Sequence, residues 1–390
     1  MSAWFASACK SKRLVAAIVP AALIWLICAF AAPGSGLGPA LAQAQAKAQD
    51  KAQTEARTEK STAPAPTCAT CHVGVASSYA HAPMRHALES AGADPVLDTH
   101  ARLAVQQDGY SYTVETKDGK STYTVSDGKD SLTVPIHWMF GQQSQTWVLE
   151  KDGNFYEGLV SYFPRENGLA TTPGDGKTAL HNLTEAMGRK LSTWEVLQCF
   201  NCHATHASEG AKLTLDKLTP GLGCERCHIG VEQHNIDAAH DNFTTLPRLL
   251  KTMDAQDAAN FCGQCHRTWD TVLRNGWKGT VDVRFQPYRL QNSRCFVGND
   301  ARISCLACHN PHQPVNHNLA FYDAKCLACH GEAKVSKVAA SAAAPTIKHC
   351  PVAKANCVSC HMPKVELPGG HALFTDHMIR IVKAGEPYPD

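Results

Sequence analysis

Residues 224–234 read CERCHIGVEQH, and the first five letters are one copy of a pattern that organises the chain. The pattern is Cys-x-x-Cys-His: a histidine follows at once after two cysteines that are separated by two residues. It occurs seven times, and we number the copies motif 1 to motif 7 in chain order. The copies are Cys68, Cys71 and His72; Cys199, Cys202 and His203; Cys224, Cys227 and His228; Cys262, Cys265 and His266; Cys305, Cys308 and His309; Cys326, Cys329 and His330; and Cys357, Cys360 and His361.

This pattern is the attachment sequence of haem c. Two thiols at this spacing lie about one helical turn apart and can add to the two vinyl groups of one porphyrin. The adjacent histidine then supplies an imidazole to the iron. We therefore expect seven covalently attached haem c groups, with the motif cysteines as attachment sites. The expected proximal iron ligands are His72, His203, His228, His266, His309, His330 and His361.

Two other uses of paired cysteines fit the pattern less well. A zinc site combines two Cys-x-x-Cys pairs, or one pair with a later pair of histidines, and needs no histidine directly after each pair. A thioredoxin-like redox motif appears once, in a βαβ context. Neither explains seven copies of a five-residue motif.

Composition excludes several classes of protein. The 390 residues include 18 Cys and 20 His, and 37 basic against 35 acidic side chains give a formal charge of +2. We expect no nucleic-acid partner, because nucleic-acid binding needs a basic face. A hydrophobic content of 44% is ordinary for a globular protein and excludes a polytopic membrane protein. The length suits two or three domains and does not suit a short disulfide scaffold.

The N-terminal residues predict export. A basic stretch at 10–13 precedes an apolar run over 14–32, and small residues at 40–42 form an Ala-x-Ala cleavage site. This arrangement predicts a signal peptide over 1–42, cleaved before Gln43, and a periplasmic or extracellular location. The alternative is an uncleaved anchor, because the apolar run could just span a bilayer. Only in that case do we expect membrane contact.

The motifs divide the chain unevenly. A long motif-free stretch separates His72 from Cys199, and in it Tyr, Thr and Val alternate with polar residues. Asp-Gly pairs at 118–119, 127–128 and 152–153 interrupt the alternation, which predicts antiparallel β-hairpins. The other six motifs follow closely on one another, so porphyrin faces must replace much of the hydrophobic core.

We predict a mainly α fold with extensive loops, of the multihaem cytochrome c type, and a small antiparallel β subdomain between motifs 1 and 2. The predicted order is a signal peptide (1–42), a flexible Ala/Gln/Lys-rich linker (43–66), a first haem segment (67–94), a β-hairpin subdomain (95–165), a six-haem cytochrome domain (166–382) and a C-terminal tail (383–390).

Histidines outside the motifs are candidates for the second axial ligand of each iron. A second imidazole keeps small molecules off the metal. The thirteen available histidines exceed the seven irons, so about half must be bystanders. For each one, the alternative is a surface or hydrogen-bonded core histidine. The candidates that we select are His234, His312, His371, His377, His86 and His100.

Four cysteines lie outside the motifs. Cys9 and Cys28 fall within the predicted signal peptide, which leaves Cys295 and Cys350. An even remainder in an oxidising compartment suggests a disulfide, and two buried free thiols are the alternative.

The motif-bearing segments resemble the large multihaem cytochromes of the cytochrome c-554 and hydroxylamine oxidoreductase superfamily, especially exported members with a cytochrome c-552/4-type domain. The resemblance is carried by CATCHVGVASSY, CFNCHATHA, GLGCERCHIGVEQH, FCGQCHRTW, RFQPYRLQNSRCF, ISCLACHNPH, YDAKCLACH and NCVSCHMPKVELPGGHALFTDHMIRI. It implies a mainly helical, haem-packed fold with bis-histidine iron. It also implies that His234, His312, His371 and His377 are distal ligands and that Cys295 and Cys350 are bridged.

The sequence departs from the family pattern in three respects. The usual Gly-Pro-Gly after the third motif is Ile229-Gly230-Val231 here. The Cys-x-x-Cys-Lys site of pentahaem nitrite reductases does not occur in the sequence. No particular tyrosine matches the cross-linked tyrosine of hydroxylamine oxidoreductase. These departures lower the expectation of either named activity.

Three functions follow from this pattern. The first is an electron relay that has redox protein partners, either a quinol-linked donor or a terminal reductase, and no catalytic residues of its own. The second is a reductase or oxidoreductase that acts on nitrite, hydroxylamine or a similar small molecule at one open haem, where His206, His240 and Arg267 could form a polar pocket. The third is an oligomer, as a subunit of a haem filament. We expect the relay, by analogy of fold, which is a weak guide to function.

Overall fold

The structure is a computed structural model that describes residues 67–142, 144–174, 179–331 and 350–389. All of them belong to one compact unit, Ala65–Asp390. The predicted signal peptide (1–42) and linker (43–66) lie outside the described residues. Within the described ranges, no helix has both the length and the apolar character needed to cross a membrane.

The paired strands run antiparallel, and most of them lie before residue 191. They are β1 (Leu88–Ser90), β2 (Arg102–Gln107), β3 (Tyr110–Lys117), β4 (Lys120–Ser126), β5 (Ser131–Ile136), β6 (Trp138–Phe140), β7 (Thr146–Lys151), β8 (Asn154–Gly158), β9 (Val160–Phe163), β10 (Gly168–Thr171), β11 (Gly188–Lys190), β12 (Ala204–Thr205), β13 (Ser208–Glu209), β14 (Lys212–Leu213), β15 (Thr219–Pro220), β16 (Lys364–Glu366) and β17 (Leu373–Thr375).

Two sheets organise this region. One is a four-stranded meander in the order β2-β3-β4-β5, and the other has five strands in the order β1-β6-β7-β8-β11. Strand pairing therefore extends beyond the predicted range of 95–165 at both ends. The outer strands β1 and β11 have three residues each, which is too short for an alternating pattern to be visible in a sequence.

The Asp-Gly pairs close the hairpins by two kinds of turn. Asp118 and Gly119 have φ values of 51° and 69°, and Asp152 and Gly153 have 50° and 69°. Positive φ at both central residues is the two-residue turn that matches strand twist, and Asp-Gly tolerates it well. The turn between β4 and β5 is different: the Asp127 carboxylate accepts hydrogen bonds from the backbone N–H groups of residues 129 and 130.

The two sheets share one side-chain core. On β4, alternate residues are buried, as expected when one face of a strand covers a core. The ring of Tyr123 packs edge-on against Tyr112 at 6.3 Å and against Trp147 at 5.9 Å. Met187 closes the same core. This region therefore buries its apolar side chains against each other.

The rest of the described chain consists of short helices joined by loops. They are α1 (Cys68–Cys71), α2 (Val73–Tyr79), α3 (Pro95–Thr99), α4 (Leu183–Met187), α5 (Thr193–His203), α6 (Val231–Ala239), α7 (Ala255–His266), α8 (Trp269–Asn275), α9 (Gln286–Gln291), α10 (Cys305–Cys308), α11 (Leu319–His330) and α12 (Cys357–His361). Single 3₁₀ turns lie at Pro83–His86, Ala91–Ala93, Cys224–Arg226, Leu250–Thr252, Gly279–Arg284 and Ala301–Ile303.

Buried apolar clusters are small in this helical region. One consists of Leu250, Met253 and Ala258, and another of Val272, Phe285 and Tyr288. Large apolar side chains are instead exposed there. All the large exposed apolar side chains of the described residues lie before residue 76 or after residue 193.

Candidate haem-attachment sites

Each motif is built on a helical turn. Motifs 1, 5 and 7 begin α1, α10 and α12, and motifs 2, 4 and 6 end α5, α7 and α11. Motif 3 forms a 3₁₀ turn, in which the backbone N–H of His228 donates to the carbonyl of Cys224 at 2.9 Å. The corresponding bond joins His72 to Cys68 at 2.8 Å. The turn thus places two thiols and an imidazole in the order that haem c attachment requires.

Several motif histidines have the hydrogen bonding of a metal ligand. The Nδ1 atoms of His203, His228 and His361 lie 2.7, 3.0 and 2.8 Å from the backbone carbonyls of Ala87, Arg248 and Arg380. A carbonyl oxygen only accepts, so Nδ1 carries the proton and Nε2 is left free to bind a metal. These residues therefore fit haem c, and the exposed apolar side chains near the motifs fit its apolar faces.

Three of the predicted distal ligands have rings close to those of motif histidines. Two imidazoles on opposite sides of one iron have ring centres about 6 Å apart, because a metal–nitrogen bond is about 2.0 Å and a ring nitrogen lies about 1.1 Å from the ring centre. The observed separations match this spacing. They are 6.3 Å for His72 and His234, 5.9 Å for His228 and His312, and 6.2 Å for His309 and His377.

The second rings in these pairs have surroundings that suit a metal ligand. The Nδ1 atoms of His234 and His377 lie 2.8 and 3.0 Å from the carbonyls of Thr245 and Thr375. Burial lowers the pKa of His377 to about 4, and it also lowers the pKa of His312. A neutral imidazole is the form that binds a metal.

The other candidates have different surroundings. His371 has φ +47°, its ring lies 4.7 Å from that of Phe163, and its Nδ1 lies 3.3 Å from a Glu166 oxygen. In His86 both ring nitrogens are engaged, at 2.5 Å from Glu89 Oε1 and 2.7 Å from the Ala80 carbonyl.

His100 is engaged in the same way. Its Nδ1 lies 2.9 Å from the Val96 carbonyl and its Nε2 lies 3.2 Å from Asn167 Oδ1. A ring with both nitrogens hydrogen-bonded has none left for iron, so this conformation does not present His86 or His100 as a ligand. Of the two polar-pocket histidines, His206 lies 3.9 Å from Glu225, and His240 bonds to its own helix through Ile236.

The motifs lie against one another in a definite order. Neighbouring motif thiols lie close together, and they place motif 1 beside 3, 2 beside 4, 4 beside 5 and 6 beside 7. These thiol pairs are Cys68 with Cys224, Cys202 with Cys265, Cys262 with Cys305, and Cys326 with Cys357.

Two further contacts complete the order. Cys227 of motif 3 packs on the apolar cluster that includes Phe261 and Leu306, beside motifs 4 and 5. Tyr322 on α11 packs against His309 at 6.1 Å, which places motif 6 beside motif 5. The motifs therefore form a row in the order 1, 3, 4, 5, 6 and 7, with motif 2 beside motif 4.

Motif 4 differs from motifs 1, 3 and 5. Burial lowers the pKa of His266, and the Gln286 side chain lies beside its ring. In the described part of the chain, no second histidine ring lies opposite it. Two arginines are nearby: the Arg267 guanidinium lies 5.6 Å from the Trp277 ring, and the Arg284 guanidinium lies 5.7 Å from the Phe285 ring.

The two non-motif cysteines are not bonded to each other. Cys295 is half-buried, Cys350 is exposed, and both are free thiols, so the suggested disulfide is not present in the structure. Burial raises the pKa of Cys295 beside the thiols of motifs 5 and 6, whereas Cys350 accepts backbone hydrogen bonds from its own loop. The two thiols thus lie in separate surroundings.

Comparison with known proteins is consistent with this geometry. Residues 170–229, which hold motifs 2 and 3, match the family described as cytochrome c554 and c-prime. Residues 297–367, which hold motifs 5 to 7, match the cytochrome c3 family. These matches support a multihaem c-type cytochrome with covalently bound haem c.

One named relative is similar over part of the chain. It is the C-type polyheme cytochrome OmcB of Geobacter sulfurreducens, in strains DL-1/KN400 and PCA, at 31% identity over 143 residues. The match covers 28% of this chain and 19% of the relative. No solved structure matches the chain. The similarity supports a multihaem electron-transfer cytochrome.

Proposed function

We propose that the protein is an exported heptahaem c-type cytochrome that relays electrons along closely packed, mostly bis-histidine haem groups. When bound, haem c supplies a one-electron iron couple. The observation that carries the proposal is the set of three histidine ring pairs separated by 5.9 to 6.3 Å. In each pair, the second ring would close its iron against small molecules, which suits electron transfer.

The order of the motifs supports a route through the molecule. The row of motifs 1, 3, 4, 5, 6 and 7 has two ends, and motif 2 gives a branch beside motif 4. We expect the redox partners, a quinol-linked donor and a terminal reductase, to dock near the ends of this row. The predicted signal peptide over 1–42 would export the chain to the periplasm or beyond.

Mass spectrometry tests the number of haem groups. The mature protein should exceed the mass of its polypeptide by seven haem c groups, one for each motif. A smaller excess would contradict the heptahaem proposal while leaving the ligand pairs to be tested separately.

Spectra of single variants test the ligand pairs. His234→Ala, His312→Ala and His377→Ala should each convert one low-spin haem to high spin. His240→Ala is the matched control, because its ring is exposed and bonds to its own helix at 2.8 Å. Unchanged low-spin spectra in the first three variants would refute the assignment.

The surroundings of motif 4 favour a second function, in which a haem held there would supply the electrons that reduce nitrite, hydroxylamine or a similar small molecule. Arg267 and Arg284 could attract an anion there, and burial lowers the pKa of Arg284, with Arg267 adding to the effect. In that case the oxidised protein should contain one high-spin haem whose spectrum changes when nitrite is added. A fully low-spin spectrum that ignores nitrite would exclude this function and favour the relay.

A further inference from the structure

A fully buried ion pair lies next to one of the distal ligands. Arg289 on α9 donates two hydrogen bonds to Asp376, from Nε to Oδ1 and from Nη2 to Oδ2, each at 2.9 Å. Both side chains have 0% exposure. Two parallel bonds of this kind fix the direction of a carboxylate as well as its position. Asp376 directly precedes His377, so the pair fixes the backbone that carries this ring.

The surroundings of the pair restrain it further. The Tyr388 ring lies 4.5 Å from the Arg289 guanidinium, and Arg289 Nη1 donates to the Pro389 carbonyl at 2.9 Å. Arg380 makes a second ion pair with Asp376.

Residues 376–380, which we call the ligand segment, contact two motifs. At its start, His377 lies 6.2 Å from His309 of motif 5. At its end, the Arg380 carbonyl accepts the hydrogen bond from Nδ1 of His361, in motif 7, at 2.8 Å. One short segment therefore supplies a distal ring at one iron site and holds the proximal ring of another.

Ser293 ties the middle of the ligand segment to the chain after α9. Its hydroxyl donates to the His377 carbonyl at 3.2 Å and accepts from the Ile379 N–H at 2.8 Å. Arg289 and Ser293 thus both hold the ligand segment in place.

We propose that Arg289 is a positioning residue for two iron sites, because it fixes the ligand segment through Asp376. This proposal rests on the proposed function, in which His377 and His361 bind iron. The hydrogen bond to Nδ1 of a ligating histidine sets its orientation and its basicity, and so tunes the potential of the metal. Arg289 therefore acts on ligation at motif 5 and on the potential at motif 7.

The test must separate positioning from stability. Removing one partner of a buried ion pair leaves an uncompensated charge and destabilises a fold strongly, whereas replacing both partners by apolar residues is often neutral. The main variant is therefore the double substitution Arg289→Met with Asp376→Leu in the full-length haem-loaded protein. Ser293→Ala is the milder variant, since it removes two hydrogen bonds and no charge. Arg274→Ala, which breaks an exposed ion pair with Asp270, is the matched control.

We expect the double variant to retain seven haem groups by mass. Its spectrum should show a high-spin component equal to one haem, and a redox titration should show a shifted potential for a second haem. Ser293→Ala should change the same signals in the same direction by a smaller amount, and Arg274→Ala should change neither. If the double variant has the spectrum and the potentials of the wild type, the proposal is wrong. If the double variant loses haem or does not fold, Ser293→Ala decides: a wild-type spectrum and wild-type potentials in that variant would overturn the proposal.

His377→Ala separates the failure of this inference from the failure of the proposed function. If His377→Ala produces a high-spin haem and the double variant does not, Arg289 has no positioning role and the ligand assignment stands. If His377→Ala leaves the spectrum unchanged, the ligand assignment is wrong and the positioning role falls with it.

Discussion

The β-rich region and the motif-bearing region bury apolar surface in different ways. In the first, 18 buried residues, most of them on strands, form one cluster. In the second, the clusters that contain Leu250 and Val272 have three buried residues each. The large exposed apolar side chains of the described chain also fall outside residues 76–193.

The difference shows which part of the fold depends on haem. Burial of apolar surface is the dominant favourable contribution to folding, and a fold that lacks it does not offset the loss of chain entropy. The sheets obtain this burial from their own side chains. The motif-bearing region must obtain much of it from porphyrin faces, so its folding and its haem attachment are coupled.

Preventing haem attachment should have the largest effect. If the chain is made without haem ligation, we expect hydrogen exchange protection to persist in residues 102–142 and to be lost across residues 224–331. The physical reason is that the first range contributes to a large side-chain core, whereas the buried clusters of the second have three residues each. The haem-loaded protein, which should be protected in both ranges, is the control. If the chain without haem shows equal hydrogen exchange protection in both ranges, the two regions do not differ in their dependence on haem.

A cavity in the β-rich core should have the next largest effect. Trp147 is fully buried, and Trp147→Ala should lower the free energy of unfolding of this region by about 3–5 kcal/mol. The haem spectrum should stay unchanged, because no motif residue belongs to the core cluster that contains Trp147. Denaturation followed by far-ultraviolet circular dichroism and by the haem band measures the two regions separately.

Trp194 provides the matched control, since it is 64% exposed. Trp194→Ala should change the free energy of unfolding by less than about 0.5 kcal/mol. If Trp147→Ala shifts the haem band transition together with the sheet transition, the two regions unfold as one unit.

Local patterns in the sequence identified the seven motifs and singled out His234, His312 and His377 as candidate ligands, and the rings of these three lie 5.9 to 6.3 Å from motif histidines. The patterns did not indicate which motif each candidate would face. His234 follows motif 3 along the chain, yet its ring lies opposite His72 of motif 1; likewise, His312 follows motif 5 and lies opposite His228. Such pairing is set by how distant segments pack, which spacing along the chain does not encode.

Hydrogen-bond partners were also beyond prediction from spacing. His86 and His100 have both ring nitrogens engaged by nearby carbonyl and side-chain oxygens. The buried pair of Arg289 and Asp376 joins residues far apart in the chain, and neither belongs to a motif. Asp376 directly precedes a candidate ligand in the sequence, but this position does not identify Arg289 as its partner.

The junction between the two regions should give the smallest effect. Helix α5 starts with a capping box, in which Ser192 Oγ accepts from the Glu195 N–H at 3.3 Å and a Glu195 oxygen accepts from the Ser192 N–H at 2.9 Å. Its last residues are motif 2, and Phe200 packs against Phe140 of β6 at 5.1 Å. Ser192→Ala should therefore lower stability by about 1 kcal/mol, a typical cost for a lost N-cap, without changing the haem spectrum.

The pH dependence of this cap gives an independent measurement. The backbone N–H of Ser192 and the guanidinium of Arg189 lower the pKa of Glu195 to about 2 from its ordinary value of 4.5. Because the pKa of Glu195 is lower in the folded state, its carboxylate contributes fully to stability above the pKa of the unfolded state. This contribution is lost as the pH falls through the pKa of the folded state. Glu195→Gln should therefore be less stable than the wild type at neutral pH, and the difference should disappear towards about pH 2. A difference that stayed constant with pH would show that the charge of Glu195 does not hold the junction, and that packing at Phe200 alone joins motif 2 to the sheet.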